Sequence, residues 1–433
     1  MFSVKKNKRK NKMLDIKFIR ENLDAVKAGA KKKHVDINLD KLVELDDTRK
    51  DLQQQIDTKK QQQNENSSDI PNLEGDEKQA KIQELSVLKA EIQELQDKYN
   101  QNQKEWKALM LQVPQIPADE VPEGDDDADN KEIKVWGEKP QFDFEPKSHI
   151  DLMEELDMVD FKRGSKIHGF RGYYLKNDGA KLSWAIWNYA NEFFGQKGFV
   201  PMLPPAIVKE ENLYGTGHLP NDAEDVYNTQ DKDYLIGTAE IPVTGYHSGE
   251  VLQNGELPKK YLGFSPCYRR EAGSYGKDTK GLIRVHEFYK VEQVILCQAS
   301  KEETHKFHEW INRNTEEFVE TLGIPYHTVL NCGGDLGQGQ VKKFDIELWV
   351  PGEETYREIS SASCFYDFQA RRFNIRYKDQ NGETKFVHTL NSTAIPTPRI
   401  LVSLVENFQT KDGEIIIPEP LRKYMDGREK ITK

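Results

Sequence analysis

The sequence predicts an α+β protein: an N-terminal antiparallel coiled-coil hairpin, then a domain on a mostly antiparallel sheet. Three observations predict it. Apolar residues recur at alternating steps of three and four in two stretches between residues 42 and 109, separated by a segment carrying proline and glycine. A proline-rich and then acidic stretch follows at 114–129. Beyond it aromatic and glycine residues become more frequent, and strand-like runs alternate with helical ones without a regular β-α-β repeat. The totals agree, since 36% hydrophobic and 31% charged residues over 433 positions describe one part with a core and another that is mostly surface.

Residues 14–33 read as a short helix, with Ile16, Ile19, Leu23 and Val26 at helical spacing. The seam of the hairpin starts at Leu42, Leu45, Arg49, Leu52, Ile56, Lys59 and Gln63, and resumes at Leu85, Leu88, Ile92, Leu95, Tyr99, Asn102, Trp106 and Leu109. Steps averaging 3.5 residues are the period of a coiled-coil seam. The segment from Asn64 to Asp76, with Ser67, Ser68, Pro71 and Gly75, is expected to break the first helix and turn the chain back. Helices of roughly 30 residues give an arm of about 45 Å. Periodicity alone allows a dimerisation coiled coil equally well, although the seam weakens towards the turn, which suits a free tip. Pro114, Pro117 and Pro122 with the run Asp125 to Asp129 mark a linker. After it, strands are expected at Phe199–Leu203, Lys290–Leu296 and Lys343–Val350, and helices at Leu182–Phe194, Glu302–Leu322 and Ile400–Phe408.

The formal net charge of -11 argues against general nucleic-acid binding, so a nucleic-acid reader of this composition needs local basic patches. Two runs qualify, Lys27 with Lys31, Lys32 and Lys33, and Arg269 with Arg270, Lys277, Lys280 and Arg284, although such runs are commonly solvated faces. Cys267, Cys297, Cys332 and Cys364 form no C-x-x-C pair, which suggests buried thiols in a cytoplasmic protein, and no structural zinc. No run of about 18 apolar residues is present to span a membrane. Met1–Lys12 is basic and lacks the apolar stretch of a secretory signal; it reads as a disordered tail or as a matter of start-site choice, since Met13 opens a clean amphipathic segment.

The chemistry concentrates in Phe264–Glu292, FSPCYRREAGSYGKDTKGLIRVHEFYKVE, which looks like a long antiparallel hairpin around a polar loop. A strand-held Arg269 is suited to a phosphate, and Glu271, two residues on, is expected on the same strand face, where it could accept from an adenine amino group. The glycine cluster Cys332–Gly339 lacks a P-loop Lys-Ser/Thr and reads as a turn-rich connection near the active site.

Three segments stand in a telling order: Gly198-Phe199 running to Pro204-Pro205, the Phe264–Glu292 hairpin, and Thr393–Arg399 ahead of an apolar helix. Together they resemble the three signatures of class II aminoacyl-tRNA synthetases. The words Thr238-Ala239-Glu240, Tyr268-Arg269-Arg270-Glu271-Ala272-Gly273, Arg284-Val285-His286-Glu287-Phe288, Lys290-Val291-Glu292 and Glu358-Ile359-Ser360-Ser361 resemble the seryl-tRNA synthetase family in particular, as does the helical arm. The likeness runs from Met13 onwards and divides the chain into a tail (1–12), a tRNA-binding arm (13–120) and a class II catalytic domain (121–433).

The resemblance implies serine activation by ATP to seryl-adenylate, then transfer to tRNA(Ser), with tRNA(Sec) as a further substrate the family allows. It assigns Thr238, Ala239, Glu240, Arg269, Glu292, Asn391 and Thr393 to serine, with Thr238 and Glu240 pictured one apart on an extended segment. ATP falls to Arg269, Arg270, Glu271, Val285, Glu358, Ile359, Ser360, Ser361 and Arg399, of which Arg269 and Arg399 are the catalytic pair. Glu358 and Ser361 are the implied Mg²⁺ ligands, hard oxygens of the kind that ion prefers. The arm is implied to contact the long variable arm of tRNA(Ser), and the first signature to build a homodimer. The third signature departs from the family pattern: residues 392–399 lack its usual glycines, though Pro398 suits a helix start that presents Arg399. Two other readings compete, a tRNA-independent amino-acid adenylating ligase and an inactive synthetase-like binding protein.

Overall fold

The computed structural model describes residues 15–433 apart from 274, 275 and 277, so the expectations for Met1–Lys12 and for Lys277 lie outside the described residues. The chain divides into two units, the first ending at Ile116 and the second spanning Pro117–Lys433.

In the first unit the single helix expected at 14–33 is two, α1 (Ile16–Glu21) and α2 (Leu23–Lys32). The break falls at Asn22, whose side-chain amide donates to the Phe18 carbonyl at 3.0 Å, a local bond that competes with helix continuation. The hairpin follows as α3 (Leu39–Asp69) and α4 (Gly75–Gln112). Their 31 and 38 residues correspond to about 46 and 57 Å. The expected break at 64–76 is shorter than read, because α3 continues to Asp69. Ser67 and Ser68 bond back to the carbonyls of Gln63 and Glu65 at 2.7 and 2.6 Å, so both hydroxyls are satisfied inside the helix. Only the turn Ile70–Asn72 and Gly75 at φ +58° reverse the chain.

The seam is where the periodicity puts it. Leu42, Leu45, Leu52, Ile56 and Leu88 are buried, and Ile92, Leu95, Tyr99 and Trp106 half-buried. Towards the turn polar contacts replace apolar ones, with Lys59–Glu91 at 2.6 Å and Asn66–Glu84 at 3.1 Å. At the other end Ile19, Val26, Leu39, Leu42 and Val113 make a small core. The basic run at 27–33 is not one surface patch, since Lys27 pairs with Asp40 at 2.8 Å and Lys33 is buried.

Sequence reading passed over Asp46, whose fully buried carboxylate meets Lys50 at 2.5 Å, Arg49 at 2.9 Å and Arg20 at 3.4 Å. Burial pushes its pKa up, but the bonds to Lys50 and Arg49 win and hold it below the usual aspartate value. The stabilisation is therefore present above the unfolded aspartate pKa of about 4 and lost as pH falls through the lower folded value. Asp46→Asn is expected to cost the hairpin about 2 kcal/mol at neutral pH and to reduce the loss on acidification. Amide hydrogen exchange along α2–α4 of the full chain checks both.

In the second unit β1 (Lys131–Trp136) precedes α5 (His149–Glu155), α6 (Phe161–His168) and α7 (Asn177–Gln196). Next come β2 (Val200–Met202), β3 (Ile207–Lys209), α8 (Glu210–Thr216), β4 (Asp233–Leu235), α9 (Glu240–Gly245) and β5 (Val251–Leu252). The central stretch holds β6 (Lys259–Tyr268), β7 (Glu287–Cys297), α10 (Lys301–Leu322), β8 (Tyr326–Leu330), β9 (Lys342–Val350) and β10 (Thr355–Tyr366). It ends with α11 (Phe368–Phe373), β11 (Arg376–Lys378), β12 (Thr384–Phe386), β13 (His388–Thr397) and α12 (Arg399–Asn407). Among the described residues one eight-stranded sheet runs β1-β8-β9-β10-β13-β7-β6-β2, antiparallel throughout except for the β2–β6 pair. Each expected strand and helix coincides with one of these elements, Phe199–Leu203 overrunning β2 by one residue at either end and Ile400–Phe408 overrunning α12 by one.

Strand alternation sends β7 side chains to two cores. Val291 and Ile295 join α7, α10 and α12 on one face, while Val294 and Leu296 join α9 and α11 on the other. The four cysteines are buried and unpaired. No helix among the described residues is long and apolar enough to cross a membrane.

Candidate active site

Glu292 sits near the middle of the sheet, paired across the strands with Thr393 on one side and Gly263 on the other. Gly263 has a steric purpose. A Cβ there would stand 2.9 Å from the Ala239 methyl, so only glycine lets the Thr238-Ala239-Glu240 segment close onto β6. That segment is not extended, as the sequence reading had it: Ala239 is helical at φ −65°, ψ −17°, and Glu240 opens α9. Pro242 causes no conflict, because a proline in the first helical turn gives up an N–H that has no partner there. Thr238 Oγ1 accepts from the Glu240 N–H at 3.2 Å.

Two buried carboxylates therefore share one face, and their surroundings differ. Glu292 meets Lys290 Nζ at 2.5 Å and accepts from Thr393 Oγ1 at 3.3 Å. Glu240 has no cation at ion-pair distance among the described residues; it accepts from Gln369 Nε2 at 2.6 Å, and Gln369 accepts in turn from Thr389 Oγ1 at 2.7 Å. Burial, then repulsion by Glu292, raises the Glu240 pKa to about 7 against the pull of Gln369. The Thr393 hydroxyl also accepts from Lys290 Nζ at 3.1 Å, so its proton and one of its two lone pairs are engaged. The buried Asn391 keeps an amide nitrogen without a hydrogen-bond partner.

Arg269 follows the end of β6, its N–H bonded to the His286 carbonyl at 3.0 Å. Its exposed guanidinium reaches only the Gly237 carbonyl at 3.5 Å and lies over the Phe288 ring at 5.4 Å, with no carboxylate paired to it among the described residues. Arg270 is not among the residues that line the cleft with Arg269; its backbone N–H is held by the Asp225 carbonyl at 2.9 Å, and Asp225 Oδ1 takes the Ala272 N–H at 3.2 Å. Glu271 does not share a strand face with Arg269. The strand has ended, Glu271 adopts φ +54°, and its carboxylate meets Arg284 at 2.5 Å. Arg284 also approaches Asp278 at 3.4 Å, so it is tied within the loop and adds little to a basic surface.

Arg399 is the first residue of α12. Its Nε donates to the Ile283 carbonyl at 2.8 Å and its Nη1 to the Glu358 carbonyl at 2.7 Å. Burial pulls its pKa down from the ordinary arginine value, opposed by the Glu358 charge. One cleft is lined jointly by Arg269, Glu271, Val285, Ile359, Thr393 and Arg399, with Glu358 and Lys290 also at its wall. Ser360 departs from the expectation for a cleft-lining hydroxyl: a bulge between Glu358 and Ser360 turns it inward, and it donates to the Thr393 carbonyl. The glycine-poor segment is accommodated, because a second bulge between Thr393 and Ile395 takes up the slack with Ala394 buried.

Ser361 pairs across the strands with Asp345, which is buried and leaves Oδ1 without a partner while Oδ2 accepts from Asn331 at 2.6 Å. Burial raises the Asp345 pKa to about 6, Lys343 pulling it back and Glu358 pushing it up. Glu358, Asp345 and Ser361 offer hard oxygens of the kind Mg²⁺ takes, and Lys343 Nζ stands 3.3 Å from Asp345 Oδ2. Next to it, Cys332–Gly339 is a turn-rich connection whose Gly334 and Asp335 line a cleft shared with Glu358 and Arg399.

The sequence reading missed Lys290, Gln369 and Asp225. Strand alternation already placed Lys290 on the face of Glu292, a usable signal; Gln369 and Asp225 reach the site from far along the chain and gave none.

With that geometry in place, comparison with known proteins is decisive. Residues 13–117 match the seryl-tRNA synthetase N-terminal domain, and residues 225–408 the tRNA synthetase class II core domain (G, H, P, S and T). The serine–tRNA ligase of Deinococcus radiodurans is 42% identical over 418 residues, covering 96% of this chain and 98% of that one. The chain belongs to the seryl-tRNA synthetase family. Among solved structures, seryl-tRNA synthetase from Pyrococcus horikoshii complexed with ATP superposes with TM-score 0.87 at 38% identity, covering 97% of this chain and 99% of the other. The cytoplasmic serine–tRNA ligase of Naegleria fowleri in complex with AMP gives 0.85 at 31%, with the same coverage. A Giardia lamblia prolyl-tRNA synthetase, at 16% identity and 0.53, shares the fold alone.

For a seryl-tRNA synthetase the Glu240 environment makes a pH prediction. A carboxylate with a pKa of about 7 is half protonated at neutrality, and only its ionised form attracts an ammonium. The KM for serine is expected to rise about tenfold from pH 8 to pH 6, while Glu240→Gln raises it at pH 8 and flattens the profile. Serine titrations of pyrophosphate exchange at fixed ATP measure both.

Proposed function

We propose that this protein condenses serine with ATP to seryl-adenylate, releasing pyrophosphate, and passes the seryl group to the terminal ribose hydroxyl of tRNA(Ser). The observation that carries the reading is the division of charge in one site: among the described residues Arg269 and Arg399 have no carboxylate at ion-pair distance, and a buried Glu240–Glu292 pair belongs to the same site.

A zwitterionic amino acid fits that division. Its ammonium goes to Glu240, which has no cation at ion-pair distance among the described residues, its carboxylate to Arg269, and its hydroxyl to Asn391 and Thr393, with Thr238 and Ala239 closing the pocket. A site built to bond a hydroxyl discriminates against alanine by about 10⁴–10⁵. The serine carboxylate is already the nucleophile and needs no base. One of its oxygens attacks the α-phosphorus in line as the bond to the bridging β-phosphate oxygen breaks, and that oxygen leaves with pyrophosphate. Arg269 stabilises charge at the α-phosphate and Arg399 at the γ-phosphate end, so catalysis is positioning and electrostatics. Glu271 takes the adenine amino group on leaving Arg284, and Val285 and Ile359 give the ring apolar walls. Glu358 and Ser361 would hold Mg²⁺, with Asp345 behind them. The ion supplies neutralisation of phosphate charge when bound.

The arm, α3 and α4, is assigned to the long variable arm of tRNA(Ser), read by shape and backbone; tRNA(Sec) is included on the family's pattern. A homodimer is supported by a groove in which Ile167 and Trp184 remain 71% and 57% exposed, since apolar patches of this kind mark interaction surfaces. A cytoplasmic setting agrees with four reduced, buried thiols.

Amino-acid-dependent ATP–pyrophosphate exchange with each of the twenty amino acids, without tRNA, tests the activation half. Exchange with serine alone is the expected result. Exchange with another amino acid overturns the pocket assignment, and none at all overturns the catalytic reading.

A further inference from the structure

The buried pair His149–Glu406 lies outside every segment the mechanism uses, yet its bonds lead into the cleft. Glu406 sits at the far end of the helix that begins with Arg399. Its Oε1 accepts from the His149 backbone N–H at 2.7 Å and from the ring Nδ1 at 2.8 Å, and its Oε2 accepts from the Gly352 N–H at 2.8 Å. The other ring nitrogen, Nε2, accepts from the Leu282 N–H at 3.2 Å. A backbone N–H can only donate, so Nε2 carries the lone pair and the ring proton resides on Nδ1, facing the carboxylate. The tautomer is fixed from both sides.

The segment held in this way is the return limb of the long loop between β6 and β7. Gly281, at φ +76°, is pressed so closely on the imidazole that a Cβ would stand 2.2 Å from Nε2. One residue beyond Leu282, the Ile283 carbonyl receives Arg399 Nε at 2.8 Å, and Leu282 and Ile283 both line the cleft. The Gly352 contact anchors the turn that leads into β10, the strand whose Glu358 carbonyl takes the second Arg399 bond. Both acceptors that aim the Arg399 guanidinium are therefore tied back to Glu406, one through the histidine ring and one through Gly352.

We propose that His149, set by Glu406, is a positioning residue for Arg399: it holds the Leu282–Ile283 backbone so that the guanidinium is aimed at the triphosphate before ATP arrives. This rests on the ATP reading above. Two variants divide the roles of the ring. His149→Asn keeps a donor near Glu406 but its short side chain does not reach Leu282; His149→Gln places an amide oxygen close to the Nε2 position and keeps an acceptor for Leu282.

The experiment is serine-dependent pyrophosphate exchange with the full chain, folded state checked by circular dichroism. His149→Asn is expected to raise the KM for ATP about tenfold, the scale of one lost bond to a binding group, with the KM for serine within about twofold. His149→Gln is expected to recover most of the ATP effect. In an Arg399→Lys background, which lacks the Nε–H donor to Ile283, the His149→Asn and His149→Gln variants should behave alike. Parental ATP affinity in His149→Asn overturns the proposal, as does an equal rise for ATP and serine that Gln does not reverse. Failure of the parent to exchange at all counts against the activation reading instead.

Discussion

Alanine at Arg269 is expected to lower serine-dependent pyrophosphate exchange by about 10³, the scale of losing one preorganised charge donor at a transition state. The size of the effect follows from what the guanidinium is not doing. It makes one long contact, to the Gly237 carbonyl, and rests on the Phe288 ring, so removing it breaks little that holds the fold. Its backbone is fixed independently through His286, so the neighbouring Glu271 and Arg270 should keep their places. The substitution therefore reports on charge delivered to the reaction. Arg269→Lys restores the charge without the planar two-nitrogen fork and should recover only part of the loss. Single-turnover adenylate formation at saturating ATP and serine separates the chemical step from binding. An unchanged rate constant there would sink the catalytic assignment.

Shortening the helical arm should do the opposite, sparing activation and crippling transfer. The cross-arm contacts Lys59–Glu91 and Asn66–Glu84 give the register, so a tight turn joining residue 59 to residue 91 removes the tip and leaves Leu42, Leu45, Leu52 and Ile56 in their seam. kcat/KM for seryl-tRNA formation is expected to fall by about 10³, the weight of roughly two interface hot spots, with pyrophosphate exchange unchanged. The expectation follows from the proposed division of roles, in which adenylate formation is chemistry of Glu240, Arg269 and Arg399. If charging survives the truncation, the tRNA is held elsewhere.

How far the sequence could be read depended on the range of the interactions involved. The arm was legible because a 3.5-residue period is a local property, and its seam residues are buried or half-buried. The hairpin β6–β7 was legible for the same reason. What failed was backbone conformation at the ends of elements. Thr238–Glu240 turns into a helix where an extended segment was expected, and Glu271 adopts a left-handed conformation that no alternation rule foresees. The break of the first arm helix was placed too early because serine was read as a breaker, although each hydroxyl is satisfied inside the helix. Partners from distant segments were beyond reach: Gln369 on Glu240, Asp225 under Ala272 and Glu406 on His149 are each set by tertiary contact.

Lys290 settles how much charge the amino-acid pocket has to offer. Glu292 and Lys290 stand 2.5 Å apart as an ion pair, whereas Glu240 has no cation at ion-pair distance and Arg269 no carboxylate paired to it among the described residues. The empty pocket thus has room for one positive and one negative charge, which an amino acid's backbone supplies in full. On that assignment an aspartate side chain would bring a surplus anion, and a lysine side chain a surplus cation, beside a Glu292–Lys290 pair whose charges already satisfy each other. On the proposed assignment, charged amino acids are expected to be turned away by electroneutrality before shape is consulted, which leaves the neutral ones to be sorted by a hydroxyl.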